Sequence, residues 1–493
     1  MEVVPNRFDE VAYPAHAFAN THPGQLAVMA ALHGFAAAAP GNCRVIEIGC
    51  NEGANLIPMA FAMPGSEFTG FDLAALPIAR GQQRIAELNL VNIRLFQADI
   101  CGLEGLGEYD YIVAHGVYTW VPDRVREHLL ALCSRHLAPS GIAFISYNAL
   151  PGSHLRNIAR DALRWGSRRG QTPEDQVAAG VELLHLAARS RPAGDTWRNV
   201  LEERAGKIEA RSASATYHDE LAPAYEPVSV LDLLERARQH GLEYLSEAEL
   251  PMPNDPALQP ELAKQVAALA GDDSAAQEYL FDFIRMRMYR ETMLVRTGPA
   301  LRQKMTAAAV PQMRFTSALI AAETDQPGAR SWLLPGGARV NCTQEPVIAV
   351  VDRLTAAWPR ALGYLEVEEV LTSEGLLREQ VPGLLLQMAI ARFLDLHLWE
   401  PPVMGHISER PRATAASRQE VLLHPQVANL WHNTVEFHDP PARALLLLLD
   451  GQHDRGEILA ELQRQFPLVD PAELEAGLEP NLQSFLRAAL LDA

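Results

Sequence analysis

Short apolar runs alternate with amphipathic segments between residues 43 and 148 of this 493-residue chain, and this alternation constrains the fold more than any other feature. The runs predict five strands, CRVIEIG, EFTGFDL, IRLFQAD, YDYIVAHG and GIAFISYN, and residues 53–62, 76–89 and 122–137 predict helices between them. Strands separated by helices of this length form a parallel sheet with helices on both faces. The sequence therefore predicts an α/β fold, a doubly wound, Rossmann-like domain.

The alternation of apolar runs and amphipathic segments ends after Asn148, and the sequence beyond it predicts further parts of the molecule. Helical periodicity interrupts the alternation over about 150–227, after which a helix, VSVLDLLERARQHG, and two strands, LEYLSEAEL and ETMLVRTG, complete the sheet. Beyond residue 299 amphipathic helix dominates and predicts mainly helical, winged-helix-like domains. We expect four parts, namely an N-terminal segment 1–42, an α/β domain 43–298 with the helical insertion, a middle domain 299–400 and a C-terminal domain 401–493.

Composition disfavours several classes of protein. The net charge of −19 disfavours a nucleic-acid partner, because an acidic surface repels phosphates, and it accommodates a cationic partner more easily. Solubility alone is the alternative explanation of the acidic composition. No apolar run approaches the roughly 20 residues of a membrane-spanning helix, and MEVVPNRFDE lacks the features of a secretory signal. We therefore expect a cytoplasmic protein without a membrane partner. Five cysteines without CxxC spacing disfavour disulfides and a zinc site, so no metal is predicted.

The first predicted strand ends in the turn GCNEG, which is typical of a nucleotide-like ligand site. Glu47, Gly49 and Gly53 lie at the carboxyl end of this strand. A dinucleotide fingerprint has glycine where Asn51 stands, and that glycine lets a pyrophosphate approach the backbone. Asparagine tolerates left-handed dihedrals, so the turn itself survives. An NAD enzyme and an α/β domain without a ligand remain as alternatives, but close pyrophosphate contact is harder to retain.

Acidic residues at three successive strand ends favour a different ligand. Glu47, Asp72 and Asp99 follow the first, second and third strands. S-adenosylmethionine carries a cationic sulfonium and an amino group and has no phosphate, so carboxylates attract it. Asp72 is placed to bind the ribose hydroxyls and Asp99 the adenine amino group. The predicted cofactor site includes these residues and the side chains that follow the two aspartates, Leu73 and Ile100.

Several motifs resemble one known family. They are FDEVAYPAHAFANTHP, VIEIGCNEGANLIPMAFAMPGSEFTGFDL, YDYIVAHGVYTWVP, SYNALPG, YHDELAPAYEPVSVLDLLERARQHGLEYLSEA and LFDFIRMRMYRETMLVR. The chain resembles the class I S-adenosylmethionine-dependent methyltransferases with a methyltransferase regulatory domain, which include the rickettsial protein lysine methyltransferases. The family usually has GCGxG where this chain has Gly49-Cys50-Asn51-Glu52-Gly53.

The resemblance implies roles for residues outside the turn. Tyr13, Thr21 and His22 would fold over the cofactor as part of the N-terminal segment, and His115 would flank the methyl group. A cap on the helix that begins at Pro23 is the alternative role for His22. The resemblance also implies a homodimer whose site is closed by the additional domains.

The acceptor pocket is expected at the carboxyl edge of the sheet. Methyl transfer depends mainly on alignment, and a lysine amine, with a reference pKa of about 10.4, must first lose its proton, which a dry pocket promotes. The candidate catalytic residues follow the fourth and fifth strands and are His115, Tyr118, Trp120, Tyr147 and Asn148. Packing is the alternative role for Tyr118 and Trp120. His218, Asp219 and Glu220 could face the acceptor, but we expect them in a solvated loop.

The leading hypothesis is an S-adenosylmethionine-dependent N-methyltransferase that acts on lysine side chains of a protein or peptide. Aromatic rings after the fourth strand support an amine acceptor, because they attract ammonium groups. One alternative is the same chemistry on a small molecule or a modified peptide, with the additional domains as a lid. The other is a non-catalytic cofactor-binding scaffold, prompted by Asn51 and by the large helical C-terminal half.

Overall fold

A seven-stranded sheet forms the centre of the molecule. The computed structural model describes Val11, Tyr13 and residues 16–298, 304–324 and 326–492. The strands of the sheet are Arg44–Ile48 (β1), Glu67–Asp72 (β2), Ile93–Gln97 (β3), Tyr109–Ala114 (β4), Leu137–Asn148 (β5), Leu242–Glu247 (β6) and Tyr289–Arg296 (β7). Their order is β3-β2-β1-β4-β5-β7-β6, and only β7 runs antiparallel to its neighbours. The α/β prediction is confirmed, including the two late strands.

Among the described residues up to Arg296, eleven α-helices accompany the sheet. They are Pro23–Leu32 (α1), Leu56–Ala62 (α2), Ala75–Glu87 (α3), Asp123–His136 (α4), Ser153–Gly166 (α5), Pro173–Arg189 (α6), Thr196–Glu209 (α7), Ala213–Leu221 (α8), Val230–Gln239 (α9), Pro260–Ala270 (α10) and Ser274–Arg285 (α11). Alternate residues of β1 enter opposite cores, Val45 on one face and Ile46 and Ile48 on the other. Helices therefore cover both faces of the sheet, as a parallel arrangement requires.

Short 3₁₀ turns connect several of these elements. They span Ala19–Thr21, Ile100–Gly102, Tyr118–Trp120, Ser167–Arg169, Pro256–Leu258, Ala307–Gln312 and Arg378–Gln380. Three of them lie at the carboxyl edge of the sheet or on the segment that covers it, and they position residues of the site described below.

Helices α5–α8 form the insertion and have a small core of their own. Leu163, Leu184 and Ile208 are buried in it, and Thr172 starts α6 with a capping box that includes Asp175. The expectation of a solvated loop at residues 217–220 is wrong, because these residues lie in α8, with His218 and Glu220 buried. Tyr217 lies within this helix, and Pro223, Tyr225 and Pro227 follow the helix rather than interrupt it.

The described residues of the middle part form three helices and six short strands. They are β8 (Arg314–Thr316), β9 (Ile320–Ala322), β10 (Arg330–Leu333), β11 (Arg339–Cys342), α12 (Glu345–Ala357), β12 (Leu362–Gly363), α13 (Tyr364–Ser373), α14 (Val381–Ile390) and β13 (Asp395–His397). The sequence indicated mostly helix here, because strands of two to four residues show too little alternation to be detected. Phe315 and Val351 share one hydrophobic core with Leu26 and Val45, so this part packs directly on the first sheet.

The last part consists of a helix, a two-stranded hairpin and three further helices. They are α15 (Ala415–Leu423), β14 (Gln426–Ala428), β15 (Thr434–Glu436), α16 (Pro440–Leu448), α17 (Arg455–Gln465) and α18 (Pro471–Arg487). Helix α15 packs on the first domain, where Arg84 Nη2 donates to Glu420 Oε1 at 3.2 Å. In the part of the chain that the structure describes, no helix combines the length and apolar character needed to cross a membrane.

Candidate functional site

The turn after β1 has a left-handed backbone at three positions. The φ angles are +74° at Gly49, +51° at Asn51 and +75° at Gly53. A Cβ at Gly49 would lie 2.8 Å from Val117 Cγ2, so that position also lacks space for a side chain. Asn51 adopts the left-handed conformation that the sequence led us to expect, because asparagine tolerates it better than most residues. The turn is therefore formed despite the missing glycine.

Asp72 is fixed at the end of β2 by backbone donors. Its Oδ2 accepts from Asn51 N and its Oδ1 from Ala74 N, both at 2.9 Å. These bonds tie the carboxylate to the turn after β1 at the carboxyl edge of the sheet. Leu73, the next residue, is 57% exposed and lies beside it at this edge.

Glu47 is the buried carboxylate of the turn. It is 4% exposed, and its Oε1 accepts from Asn55 Nδ2 at 3.0 Å. Its Oε2 has no hydrogen-bond partner among the residues that the structure describes. Burial, reinforced by the nearby charge of Asp72, raises the pKa of Glu47 to about 7. A buried carboxylate oxygen without a donor matches a cationic ligand group, such as an ammonium, and this site fits S-adenosylmethionine.

Asp99 lies beyond β3 and starts the turn Ile100–Gly102. Its Oδ1 accepts from Cys101 N at 2.9 Å, which is the bond of a helix cap. The side chain is exposed and Ile100 is half-buried. Capping occupies one carboxylate oxygen, and contact of Asp99 and Ile100 with the adenine remains a prediction.

Asn55 joins the turn to two distant parts of the chain. Its Nδ2 donates to Thr21 Oγ1 at 2.9 Å, and its Oδ1 accepts from Phe18 N and from His432 Nε2, both at 2.9 Å. Thr21 is fully buried. The N-terminal segment therefore lies against the turn, and a residue after β14 completes the contact.

His22 begins α1 and is buried beside the same contact. Its Nδ1 accepts from Gly24 N at 3.0 Å, so it caps the helix. Burial lowers its pKa to about 3, so the ring is neutral. The observed cap corresponds to the alternative role considered for His22, and contact with the cofactor stays a prediction.

His115 lies after β4 and faces aromatic neighbours. Its Nε2 and the Tyr289 hydroxyl share a hydrogen bond of 3.1 Å, and the Phe18 ring centroid is 3.8 Å from that of His115. Burial lowers the pKa of His115 to about 4, so the imidazole is neutral near pH 7. A neutral ring in this position can orient a neighbouring group without adding a competing positive charge.

Tyr13 connects the N-terminal segment to the insertion. Its hydroxyl donates to Asp219 Oδ1 at 3.3 Å, and its ring meets that of His218 edge to face, with centroids 5.5 Å apart. His218 Nε2 donates to Val11 O at 2.8 Å. Helix α8 therefore holds the segment over the sheet edge.

Glu291 and Asn20 lie on the same side of the site as Tyr289. Residues 289 and 291 are two positions apart on β7 and therefore share one of its faces. Asn20 Nδ2 donates to Glu291 Oε2 at 2.8 Å and also to Glu249. Burial and the charge of Glu249 raise the pKa of Glu291 to about 7. This carboxyl therefore changes its protonation state near neutral pH.

The other predicted catalytic residues lie in different surroundings. Tyr118 and Tyr147 are buried in the core beneath the sheet edge, with ring centroids 6.3 Å apart. Trp120 packs on Tyr225, with centroids 4.9 Å apart. Asn148 Oδ1 accepts from Arg156 Nη1 at 2.6 Å. These placements favour packing for the two tyrosines and Trp120, and positioning of an arginine for Asn148; their catalytic roles remain predictions.

Several residues of the site were missed at the level of sequence. They are Phe18, Asn20, Asn55, Tyr289, Glu291 and His432. Alternation on the predicted strand ETMLVRTG could have placed Glu291 on one face, because residues two apart point the same way. Phe18 and His432 have no local motif, since their contacts join segments far apart in the chain.

Comparisons with known proteins agree with this geometry. Three family descriptions match in chain order: methyltransferase domain over residues 46–143, predicted methyltransferase regulatory domain over 212–296, and PKMT, C-terminal winged helix domain over 409–490. The structure of PKMT2 from Rickettsia typhi in complex with AdoHcy superposes with a TM-score of 0.86 at 22% identity, covering 98% of this chain and all of that chain. The chain belongs to the class I S-adenosylmethionine-dependent methyltransferases of PKMT type.

Curated relatives extend the comparison. The uncharacterized protein RP028 of Rickettsia prowazekii (strain Madrid E) is 32% identical over 240 residues, which are 48% of this methyltransferase and 96% of RP028. The uncharacterized protein RP789 of the same organism is 32% identical over 291 residues, or 59% of this chain. The match spans only 52% of the length of RP789. The cofactor is S-adenosylmethionine, which supplies a methyl group on a positively charged sulfur.

Proposed function

We propose that this methyltransferase transfers the methyl group to the side-chain amine of lysine in a protein or peptide. The observation that carries the proposal is the Glu291 carboxyl, whose pKa of about 7 places it between protonated and ionised at neutral pH. An ammonium must lose a proton before its nitrogen can attack a methyl carbon, and a carboxylate of this pKa can accept that proton. An alcohol acceptor, with a much higher pKa, would need a stronger base.

Aromatic and neutral groups around Glu291 suit the same acceptor. Tyr289, His115 and Phe18 form a wall in which the imidazole is neutral because burial lowers its pKa to about 4. Such a wall attracts an ammonium through its ring faces and then favours the uncharged amine, because exclusion of water lowers the pKa of lysine. The residues of the wall would orient the amine toward the methyl carbon, which is the main requirement of an in-line displacement.

On the cofactor side, each residue is assigned to the group of S-adenosylmethionine whose charge or hydrogen-bonding capacity it matches. Glu47 Oε2 would accept from the ammonium of the methionine part, Asp72 would bind the ribose hydroxyls and Asp99 the adenine amino group. Gly49, Asn51 and Gly53 shape the turn that these groups approach. Tyr13, Thr21 and His22 would cover the bound molecule, since the segment that carries them already contacts Asn55 and α8.

A polypeptide acceptor is supported by the winged-helix family that matches the C-terminal domain and by the similar structure of PKMT2. The name of PKMT2 and that of the winged-helix family both refer to PKMT enzymes. Acidic composition, with a net charge of −19, also suits a lysine-containing partner better than an anionic one. A small molecule or a modified peptide is the competing acceptor and is separated from a polypeptide by the experiment below.

The test is methyl transfer with an isotopically labelled donor. The full chain is incubated with S-adenosylmethionine labelled in the methyl group and with a peptide library, and mass spectrometry locates the label. We expect label on the lysine side-chain nitrogen and none in a matched library whose lysines are acetylated. Label only on oxygen or carbon, or no label on any peptide of the library, contradicts the proposal.

We also infer a homodimer from exposed apolar side chains on the insertion. Trp165, Leu186 and Trp197 are 57%, 58% and 45% exposed, and they lie on three neighbouring helices of the insertion. A second copy of the chain could cover them. Sedimentation analysis of the purified chain should give the mass of two copies, and Trp165→Glu should shift it toward one copy. A monomer at all concentrations contradicts the inference.

A further inference from the structure

A second cleft lies where the N-terminal segment meets the middle and C-terminal parts of the chain. It has a volume of about 290 Å³, and the indole rings of Trp358, Trp399 and Trp431 line it. Ala19, Asn20 and His22 line it as well, so it begins directly after Phe18, whose ring packs on His115. The cleft therefore adjoins the acceptor side and includes none of the three acidic residues assigned to the cofactor.

The indole rings are held in place by their own N–H groups. Trp431 Nε1 donates to Pro359 O at 3.0 Å, and Trp358 Nε1 donates to Arg487 O at 2.6 Å. The two rings are stacked, with centroids 6.4 Å apart and an interplanar angle of 19°. The N–H groups of both rings are therefore occupied. The His397 imidazole packs on part of the Trp431 ring, with centroids 4.2 Å apart, so a ligand would contact the remaining π surface of these rings.

The charge of the cleft favours a cation. Glu249 and Asp395 line it, and both residues are exposed. Desolvation raises the pKa of the Asp395 carboxyl, and the charge of Arg392 opposes that shift. Burial lowers the pKa of both His22 and His397 to about 3, so neither imidazole adds positive charge near pH 7. Arg392 is the one arginine or lysine among the described residues that line the cleft, and its Nη2 donates to Leu250 O at 3.2 Å.

We propose that this cleft binds the ammonium group of a second lysine, free or methylated, on the same polypeptide substrate. The inference depends on the proposed function, because it places one lysine at the methyl donor and another in the cleft. Indole faces attract an ammonium, and a methylated ammonium loses less hydration when it is buried against them. The two carboxylates add negative charge, which disfavours phosphate-bearing ligands and favours binding of basic sequences.

Binding of paired peptides to the full chain with the product S-adenosylhomocysteine tests the cleft directly. One Gly/Ser peptide carries two lysines, and its partner carries norleucine, which has no charge, in place of the second. A series of such pairs steps the spacing between the two positions. At the best spacing we expect calorimetry to give about tenfold weaker binding for the norleucine peptide. Equal binding at every spacing overturns the proposal.

A second set of peptides separates charge from apolar burial. Trimethyllysine at the second position should bind at least as tightly as lysine, whereas its neutral tert-butyl isostere should bind like norleucine. The proposal is overturned if the isostere binds as tightly as trimethyllysine, because the site would then recognise shape alone. It is also overturned if only arginine at that position strengthens binding.

Variants of the cleft supply the matched controls. Trp399→Leu removes a π surface, and Asp395→Asn removes a charge at an exposed position that leaves the fold testable. Each should raise the KM for the two-lysine peptide up to about tenfold. The kcat, and the KM for the peptide with one lysine, should be unchanged. Trp399→Phe should raise this KM less than Trp399→Leu does, and Asp352→Asn on the surface of α12 should leave the KM unchanged. Unchanged KM in both cleft variants contradicts the proposal.

The two possible failures can be told apart. If lysine is not the acceptor, no peptide of either type gains a methyl group, and the proposed function fails. If lysine is methylated but the peptides of each pair have the same KM, the proposed function stands and the cleft proposal fails.

Discussion

The cofactor side and the acceptor side of the site are built in opposite ways. Glu47, the turn and Asp72 come from one short stretch of chain around β1 and β2. The side proposed for the acceptor instead joins Phe18 of the N-terminal segment, His115 after β4 and Glu291 of β7. A local stretch can keep its geometry while other domains change, so the donor is fixed by a motif and the acceptor by the tertiary structure.

The two sides also differ in charge. Carboxylates dominate the cofactor side, where Glu47 and Asp72 are close enough that the charge of Asp72 raises the pKa of Glu47. Neutral rings and one titrating carboxyl, Glu291, dominate the acceptor side. The first environment attracts a permanent cation, and the second favours an amine that has lost its proton. Mutation of each side should therefore affect different kinetic parameters.

The largest effect is expected for Glu291→Gln. Loss of the proton acceptor should lower kcat about 100-fold while S-adenosylhomocysteine binds as before. Wild-type kcat should rise as the pH rises through about 7, because the ionised carboxylate is the active form, and the variant should lose this rise. Steady-state kinetics over a pH series measure both. Glu243→Gln on β6 is the control, and a variant that keeps the wild-type pH profile would remove Glu291 from the reaction.

Asp72→Ala should give the next largest effect, on the cofactor side. The change removes the carboxylate that accepts from Asn51 N and Ala74 N and that is assigned to the ribose, so affinity for S-adenosylhomocysteine should fall about 30-fold. Calorimetry measures this loss. Asp110→Ala is the matched control, because Asp110 pairs with Arg44 at the start of β1. Wild-type affinity in Asp72→Ala would exclude the ribose assignment.

His115→Ala should act on transfer and spare binding. The change removes the hydrogen bond to Tyr289 and the ring contact with Phe18, so kcat should fall about tenfold with cofactor affinity nearly unchanged. His128→Ala on the exposed side of α4 is the control. A double-mutant cycle with Tyr289→Phe should show coupling between the two positions. Full activity of His115→Ala would leave the residue with a packing role only.

The smallest effect is the pH dependence of cofactor binding. The pKa of Glu47 is about 7 in the folded protein, above its usual value of 4.5, so part of the population is protonated near neutral pH. A cationic ligand favours the ionised form, so affinity should fall about fivefold as the pH drops from about 8 to about 6. Glu47→Gln should abolish this dependence. Calorimetry in buffers of different ionisation enthalpy should detect proton release, and its absence would contradict the assignment.

Sequence analysis succeeded where the chemistry is local. The turn from Gly49 to Gly53 and the acidic strand ends were visible because strand, turn and helix follow one another within a few residues. Alternation of apolar residues also identified all seven strands of the central sheet, including the late pair β6 and β7.

Most residues of the acceptor side could not be predicted from the sequence, for a physical reason. Tyr118 and Trp120 follow β4 and looked like pocket residues, but Tyr118 turns into the core and Trp120 packs on Tyr225. The direction of a side chain after a strand depends on what packs there, and here that includes residues of the insertion. Tyr289 and Glu291 reach the site because β7 inserts between β5 and β6, which sequence spacing does not reveal.

The bond between His432 and Asn55 sets an order of events during synthesis. The two residues are 377 positions apart, so a ribosome releases Asn55 long before its partner. A nascent chain can form the turn after β1, yet Asn55 Oδ1 accepts from a second segment of the chain, through His432, only when the hairpin of the last domain has emerged and docked. The hydrogen bonds around the turn after β1 are therefore complete only when nearly the whole protein has been made.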